Sequence, residues 1–227
     1  MKVSVTLSAN AGVALNIGGH RIWVDALHDR RAEPFSTVSP ALQQKMLQCE
    51  AFQRPEWICY THDHPDHYSR KLTQAAQQLW PQAQVLLPDA AWEQERTVAA
   101  GGLALRFVKL PHAGAQYADV LHYGMIISYL RRNILIPGDC AVGSETLAQA
   151  ISGLHIDMAL LNFPWITLNK GREFLQEHLA ESTIYLYHLP FAGDDTAGYR
   201  GAARQAAGQV RNCTLLMEPL QTVTQDL

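Results

Sequence analysis

The chain has 227 residues, of which 48% are hydrophobic and 17% are charged, with a formal net charge of −3. That apolar fraction excludes a disordered chain, and the slightly negative charge without a basic patch does not favour binding to nucleic acid. The four cysteines are far apart and form no CxxC pair, which is typical of a protein of the reducing cytoplasm. Polar residues interrupt the N-terminal segment and no apolar run reaches the length of a membrane span, so we expect neither a signal peptide nor a membrane-spanning segment. We expect one domain over 1–227.

The N-terminal part of the chain predicts short strands followed by a helix. Strands are expected over residues 3–7, 13–17, 21–24 and 57–61. Gly18-Gly19 predicts the tight turn of a hairpin between two of them. Ser39 and Pro40 have the character of an N-cap and a first helical position, so a helix should run from there to about Gln53. A second helix is expected from Tyr68 towards Trp80.

The rest of the chain interleaves strands and helices. Strands are expected over residues 84–87, 103–108, 124–130, 133–136, 157–161, 183–187 and 212–217. Helices are expected over residues 89–98, 144–151 and 170–180, and from a cap at Asp194-Asp195 to Val210. The predicted hairpins argue against a doubly wound parallel sheet, in which strands and helices alternate strictly, and favour mixed sheets.

The most informative segment is His62-Asp63-His64-Pro65-Asp66-His67, which lies between a predicted strand and a predicted helix. Alternate residues share one face of a strand, so His62 and His64 should point the same way. Asp66 and His67 are adjacent at the turn into the helix and can reach a second point nearby. Imidazole and carboxylate are donors that suit zinc. The pattern therefore predicts a metal site rather than isolated surface histidines.

This segment resembles the HxHxDH signature of the metallo-β-lactamase-fold hydrolase superfamily. Other features of that superfamily follow in the same order: an opening hairpin with a strand that ends at Asp25, then Leu110-Pro111-His112, Pro137-Gly138-Asp139 and Tyr187-His188. The resemblance spans most of the chain. It implies an α/β fold of the four-layer αββα sandwich type, with two mixed β-sheets and metals at one edge.

The resemblance also implies a ligand set for two divalent metal ions, with zinc as the first candidate and manganese or iron as alternatives. It assigns His62, His64 and His112 to one ion, Asp66, His67 and His188 to the other, and Asp139 to both. Such ions lower the pKa of water towards about 7, so the expected reaction is attack by a metal-bound hydroxide on a small ester, lactone or phosphodiester. The excess positive charge favours an anionic small-molecule substrate. Asp66 is expected to orient the water and to handle a proton.

Several other residues are candidates for supporting roles near the metals. Asp25 is expected to accept the second N–H of a metal-bound histidine, with a role as a turn aspartate as the alternative. Phe163, in the compact aromatic loop predicted over Phe163-Pro164-Trp165, is expected to line the substrate site. Cys140 follows Asp139, and its role is left open between packing and a redox or ligand role.

Two further histidines, His28 and His122, are expected to line the mouth of the site. His122 also competes with His112 for the third ligand position of the first ion. We prefer His112 because it ends a strand and lies further upstream of Asp139, as the resemblance implies.

Three classes of function are compatible with these residues. The first is a dinuclear zinc hydrolase, similar to the compact lactonase and phosphodiesterase branch of the superfamily. The second is an iron-dependent oxidoreductase similar to the persulfide dioxygenases of the same fold. The third is an inert binding protein, which the complete ligand set disfavours. Substrate identity and oligomeric state are not predicted by the sequence.

Overall fold

The computed structural model describes residues 1–227, which divide into two compact units. The first unit comprises residues 1–87, 188–200 and 216–227, and the second comprises residues 88–187 and 201–215. Each unit contains one β-sheet. No helix combines the length and the apolar character that a membrane crossing needs. The expected single domain over 1–227 stays a prediction.

The strands of the chain are β1 (Lys2–Leu7), β2 (Val13–Ile17), β3 (His20–Val24), β4 (Trp57–Cys59), β5 (Gln84–Leu86), β6 (Glu95–Ala100), β7 (Leu103–Lys109), β8 (Tyr123–Tyr129), β9 (Arg132–Ile136), β10 (Met158–Asn162), β11 (Thr183–Tyr187), β12 (Cys213–Leu215) and β13 (Thr222–Asp226). The helices are α1 (Pro40–Gln48), α2 (Arg70–Leu79), α3 (Glu145–Ile151), α4 (Pro164–Thr167), α5 (Asn169–His178) and α6 (Tyr199–Ala207).

The sheet of the first unit has six strands in the order β13-β1-β2-β3-β4-β5. Strands β2 and β3 form the predicted hairpin, in which Gly18 and Gly19 adopt positive φ angles of 59° and 101°. Strands β3, β4 and β5 pair in parallel. Parallel neighbours end at the same edge of a sheet, so the residues that follow β3 and β4 come together there. Strand β13 pairs with β1 and was not predicted, because its sequence is polar and its pairing partner is remote in the chain.

The first helix begins where the sequence predicts. The Ser39 side chain accepts a hydrogen bond from the Leu42 N–H, and Pro40 occupies the first turn. The helix ends at Gln48 rather than at Gln53, because Cys49 adopts an extended conformation with ψ 125°.

In the same unit, Trp23 packs against neighbouring aromatic rings in an apolar core that also includes residues of α1 and α2. This core supports the sheet from which the HxHxDH segment emerges.

The sheet of the second unit has seven strands in the order β12-β11-β10-β9-β8-β7-β6. Strands β6 to β9 pair in antiparallel fashion, and strands β9 to β12 pair in parallel. Strand β9 therefore ends at the edge where β10 also ends, which places Asp139 and Asn162 near each other. Both sheets are mixed, as the predicted hairpins indicated.

Two predicted elements of the second unit are wrong. The segment 89–98 is not a helix but a short 3-10 turn followed by β6. Glu93 has a φ of 54°, which ends the turn, and β6 then pairs with β7 across Gly101-Gly102. The segment Phe163-Pro164-Trp165 is not an aromatic loop, because it begins α4. Trp165 is fully buried there and packs edge-on against Phe174.

Candidate metal centre

The candidate site residues of the first unit lie where the parallel strands β3 and β4 end side by side. Asp25 follows β3, and its N–H donates to the Cys59 carbonyl at 2.9 Å, so the parallel pairing continues past the last residue of β3. The Asp25 carboxylate then accepts hydrogen bonds from the Thr61 N–H at 2.8 Å and from the Thr61 hydroxyl at 2.7 Å. Asp25 and Thr61 are both fully buried. The sheet register therefore places a buried carboxylate at the base of the HxHxDH segment.

Thr61 connects this carboxylate to His62. Because the Thr61 hydroxyl donates to Asp25, it accepts a hydrogen bond from His62 Nδ1, which lies 2.9 Å away. The proton of the neutral His62 ring therefore resides on Nδ1, and the lone pair resides on Nε2. His62 is itself fully buried. The arrangement fixes the tautomer and the orientation of this ring.

His67 is oriented by the same carboxylate. Its Nδ1 lies 3.0 Å from Asp25 Oδ2, so Nδ1–H donates and the lone pair is again on Nε2. His67 Nε2 lies 3.3 Å from Nε2 of His188, which follows β11. Carboxylate–imidazole pairs of this kind orient histidines that bind metals.

Asp66, His67 and His188 bring three donor atoms together in a buried cluster. Asp66 Oδ2 lies 3.9 Å from both Nε2 atoms, and the Nε2 atoms lie 3.3 Å apart. A point equidistant from the three atoms lies about 2.2 Å from each, which matches the distances of zinc to nitrogen and oxygen ligands. The three side chains are at least nine-tenths buried. Their chemistry and spacing fit a divalent metal ion.

His64 lies beside this cluster on the same turn. The His62 and His64 ring centroids are 4.5 Å apart, and those of His62 and His67 are 4.0 Å apart. The turn is closed by the His64 carbonyl, which accepts the N–H groups of His67 and Tyr68 at 2.9 Å. The structure therefore gathers all four predicted donors of the HxHxDH segment, with His188, in the first unit.

In the second unit the structure brings His112 and Asp139 together. His112 Nε2 lies 3.9 Å from Asp139 Oδ2, and His112 Nδ1 donates to the Ala113 carbonyl at 2.7 Å. The lone pair of His112 is therefore on Nε2, the atom that faces Asp139. Asn162, at the end of β10, donates to Asp139 Oδ1 at 3.2 Å. The loops that carry His112 and Asp139 are joined by two backbone hydrogen bonds of 2.8 Å.

The other predicted site residues occupy interior or half-buried positions. His28 and His122 are fully buried, and each forms a hydrogen bond with a backbone carbonyl, of Ala9 and Leu110 respectively. Phe163 is half-buried at the start of α4. Their roles near the substrate stay predictions.

Two buried groups among the candidate site residues have strongly shifted pKa values. Burial lowers the pKa of His28 to about 4, although the hydrogen bond with Ala9 opposes the shift, so this imidazole is neutral at pH 7. Burial raises the pKa of the Cys140 thiol to about 12. The thiol is fully buried and donates to the Ala141 carbonyl at 3.4 Å, and the role of Cys140 stays a prediction.

Sequence reasoning missed three residues that contact the predicted ligands. Thr61 links Asp25 to His62, Asn162 donates to Asp139, and Asn10 donates through Nδ2 to Asp66 Oδ2 at 3.2 Å. Thr61 ends one predicted strand and Asn162 follows another, and these strand ends were a usable signal because the predicted ligands also follow strands. Asn10 lies 56 residues from Asp66 in the sequence. It precedes the hairpin predicted around Gly18-Gly19, and nothing in that position indicated a contact with a metal ligand.

Positive φ angles also mark this part of the first unit. Asn10, Asp25 and His188 have φ values of 47°, 50° and 58°, a region that residues other than glycine seldom occupy. Backbone strain of this kind concentrates at functional sites, where the surrounding structure holds it in place.

Comparison with known proteins shows the fold of the chain but does not identify the family to which it belongs. No family model and no curated protein sequence matches the chain. Solved structures do match it over its whole length. An isothiocyanate hydrolase from gut bacteria of Delia radicum is 15% identical, with a TM-score of 0.64 and coverage of 98% of both chains. The metallo-β-lactamase fold protein YhfI from Bacillus subtilis is 11% identical, with a TM-score of 0.63 and coverage of 99% of both chains.

A third similar structure is named as a diiron enzyme. CmlA, a diiron β-hydroxylase from Streptomyces venezuelae, is 15% identical with a TM-score of 0.58, and the match covers 99% of this chain and 54% of CmlA. Identities this low show the fold alone. The chain therefore has the metallo-β-lactamase fold, with the two mixed β-sheets that the sequence resemblance implied.

Proposed function

We propose that this protein is a metal-dependent hydrolase that cleaves a small ester, lactone or phosphodiester. The observation that carries the proposal is the buried triangle of donor atoms formed by Asp66, His67 and His188. Buried imidazoles and carboxylates at these separations serve no apolar packing purpose, and their spacing suits a cation. A solved structure of the same fold that is named as a metallo hydrolase supports the same function.

The proposed ligand set extends beyond this triangle. We assign His62 and His64 to the metal centre because they leave the same turn and because the tautomer of His62 presents Nε2. We assign His112 and Asp139 from the sequence resemblance, which also implies two ions, with zinc as the first candidate. A bound divalent ion would make water acidic enough to ionise near neutral pH and would stabilise negative charge on a substrate oxygen. Its positive charge suits an anionic small molecule.

Residues around the proposed metal site would orient the histidine ligands and accept the proton of the reacting water. Asp25 holds the His67 proton on Nδ1, and Thr61 holds the His62 proton on Nδ1, so both rings are turned to present Nε2. We assign to Asp66 the role of orienting the water molecule and of accepting its proton. The burial of Asp25 and Thr61 excludes bulk water from this network, which strengthens each hydrogen bond in it.

The experiment that tests this function combines metal analysis with an activity panel. Purified protein is assayed for bound metals and then for hydrolysis of lactones, thioesters, phosphodiesters and isothiocyanates. Isothiocyanates are included because a similar structure is named as their hydrolase. We expect turnover of at least one class, loss of turnover with a chelator, and recovery on addition of zinc or manganese. Two bound metals with no turnover of any class would argue for the inert binding protein instead.

A second candidate is an iron-dependent oxidoreductase. The observation in its favour is the shared fold of CmlA, which is named as a diiron β-hydroxylase. Histidine and carboxylate donors suit iron as well as zinc. Iron in the protein purified from its source, together with oxygen consumption in place of hydrolysis, would favour this candidate.

A further inference from the structure

Asn10 contacts two of the proposed metal ligands at once. Its side-chain Nδ2 donates to Asp66 Oδ2 at 3.2 Å, and its backbone carbonyl accepts the N–H of His188 at 3.0 Å. Asn10 is fully buried. It therefore connects Asp66, at the end of the HxHxDH segment, to a histidine that lies more than 100 residues further along the chain.

The orientation of the Asn10 amide follows from charge. Only the NH₂ group can face the Asp66 carboxylate, because the amide oxygen would be repelled by it. This orientation persists although Asn10 Oδ1 is buried without a hydrogen-bond partner in the protein. The contact with Asp66 is thus the one polar contact that the structure gives to this side chain.

The turn that contains Asn10 does not require its side chain. Two backbone hydrogen bonds close the turn, from Ser8 N to the Gly12 carbonyl and from Gly12 N to the Ala9 carbonyl, both at 2.8 Å. Asn10 itself has a φ of 47°, which glycine adopts more readily than asparagine. The turn therefore closes through its backbone, and the amide is directed to Asp66 instead.

We propose that Asn10 is a positioning residue that holds Asp66 and His188 at the separation a metal ion requires. The inference rests on the proposed function, because it takes Asp66 and His188 to be ligands. The amide donates to Asp66 Oδ2, the oxygen nearest to His67 Nε2 and His188 Nε2. That hydrogen bond prevents rotation of the carboxylate away from the two imidazoles in the metal-free protein. The donor set is then assembled before a metal arrives.

The test compares zinc affinity in variants that separate the amide from the backbone. Asn10→Gly removes the amide and accepts the positive φ, and Asn10→Ala removes the amide and adds backbone strain. Asn212→Gly is the matched control, since Asn212 is exposed and has a φ of 55°. Metal-free proteins are titrated with Zn²⁺ in competition with a chromophoric chelator. We expect both Asn10 variants to bind zinc about 10-fold or more weakly and the control to be unchanged.

If Asn10 acts through Asp66, the effect of substituting Asn10 on zinc affinity must depend on the presence of Asp66. In an Asp66→Ala background, Asn10→Gly should cause no further loss of zinc affinity, because its target oxygen is gone. An equal loss in both backgrounds would indicate general damage and would overturn the proposal. Wild-type affinity in Asn10→Gly, or failure of both Asn10 variants to fold, would also overturn it.

The titration distinguishes this inference from the proposed function. If the wild-type protein binds no zinc or other divalent metal, the metal-dependent function fails and the inference fails with it. If the wild-type protein binds zinc and Asn10→Gly binds it equally well, only the inference fails. No substrate is needed for either result.

Discussion

Asp25 Oδ2 accepts a hydrogen bond from His67 Nδ1 at 3.0 Å, and the two side chains are 0% and 1% exposed. The same carboxylate accepts two hydrogen bonds from Thr61, one from its N–H and one from its hydroxyl. Three donors therefore compensate for the burial of this carboxylate. Because one donor belongs to His67 and another, the Thr61 hydroxyl, bonds to His62, Asp25 controls how these two histidines present their lone pairs.

Asparagine in place of Asp25 should weaken metal binding about 10- to 100-fold, because its amide cannot accept all three hydrogen bonds. The substitution suits the left-handed backbone at this position. Zinc affinity of the metal-free protein is the measurement. Asp157→Asn is the control, since Asp157 is also buried and accepts from Arg132 and the Asn133 N–H. Equal zinc affinity in Asp25→Asn and wild-type protein would exclude the orienting role.

Alanine in place of His62 should remove a bound metal and reduce activity more than about 100-fold, since removing a ligand costs more than removing a residue that orients one. Metal content and turnover of the substrate identified in the panel should fall together. His20→Ala is the matched control, because His20 is a histidine of β3 whose side chain pairs with the exposed Glu56. A His62→Ala protein that keeps both metal and activity would show that the ligand assignment is wrong.

Alanine in place of Gly12 should destabilise the protein by about 1 to 3 kcal/mol, because the new methyl group overpacks the turn. A Cβ atom there would lie 2.7 Å from the Ala26 Cα and from the Asp25 carbonyl oxygen, and still closer to Ser8 Oγ. Chemical denaturation measures the effect. Gly201→Ala, at an open position of α6, should be neutral or stabilising by up to about 1 kcal/mol. A Gly12→Ala protein as stable as wild type would contradict the close packing at this turn.

Acid should destabilise the metal-free protein partly through His28. Burial lowers the pKa of His28 in the folded protein from 6.5 to about 4. Between these values the unfolded chain takes up a proton at this histidine and the folded chain does not, so the free energy of unfolding decreases as the pH falls. From pH 7 to pH 5 the wild-type protein should lose about 2 kcal/mol more than His28→Gln. Urea denaturation of both metal-free proteins at the two pH values measures this, and identical losses would refute it.

Much of the fold follows from local signals in the sequence. Gly18-Gly19 specifies a hairpin turn that only positive φ angles allow, and Ser39-Pro40 specifies the start of a helix. The segment 89–98 could not be predicted in this way, because its residues suit a helix but its pairing with β7 decides otherwise. Strand β13 is likewise defined by a partner at the other end of the chain.

The donors were more predictable than the residues that orient them. His62, His64, Asp66 and His67 lie in one segment, so their convergence needs only a strand and a turn. The hydrogen bonds of Asp25 with Thr61 and His67 require the parallel register of β3 and β4, which no local pattern encodes. The contact of Asn10 with Asp66 depends on tertiary structure in the same way.

The most direct test of the metal centre is a calorimetric titration of the metal-free protein with Zn²⁺. We predict that the wild-type protein binds zinc and that Asp66→Ala, His67→Ala and His188→Ala each bind it at least about 100-fold more weakly. Absence of zinc binding by the wild-type protein, or wild-type affinity in all three variants, would contradict a metal site at these residues.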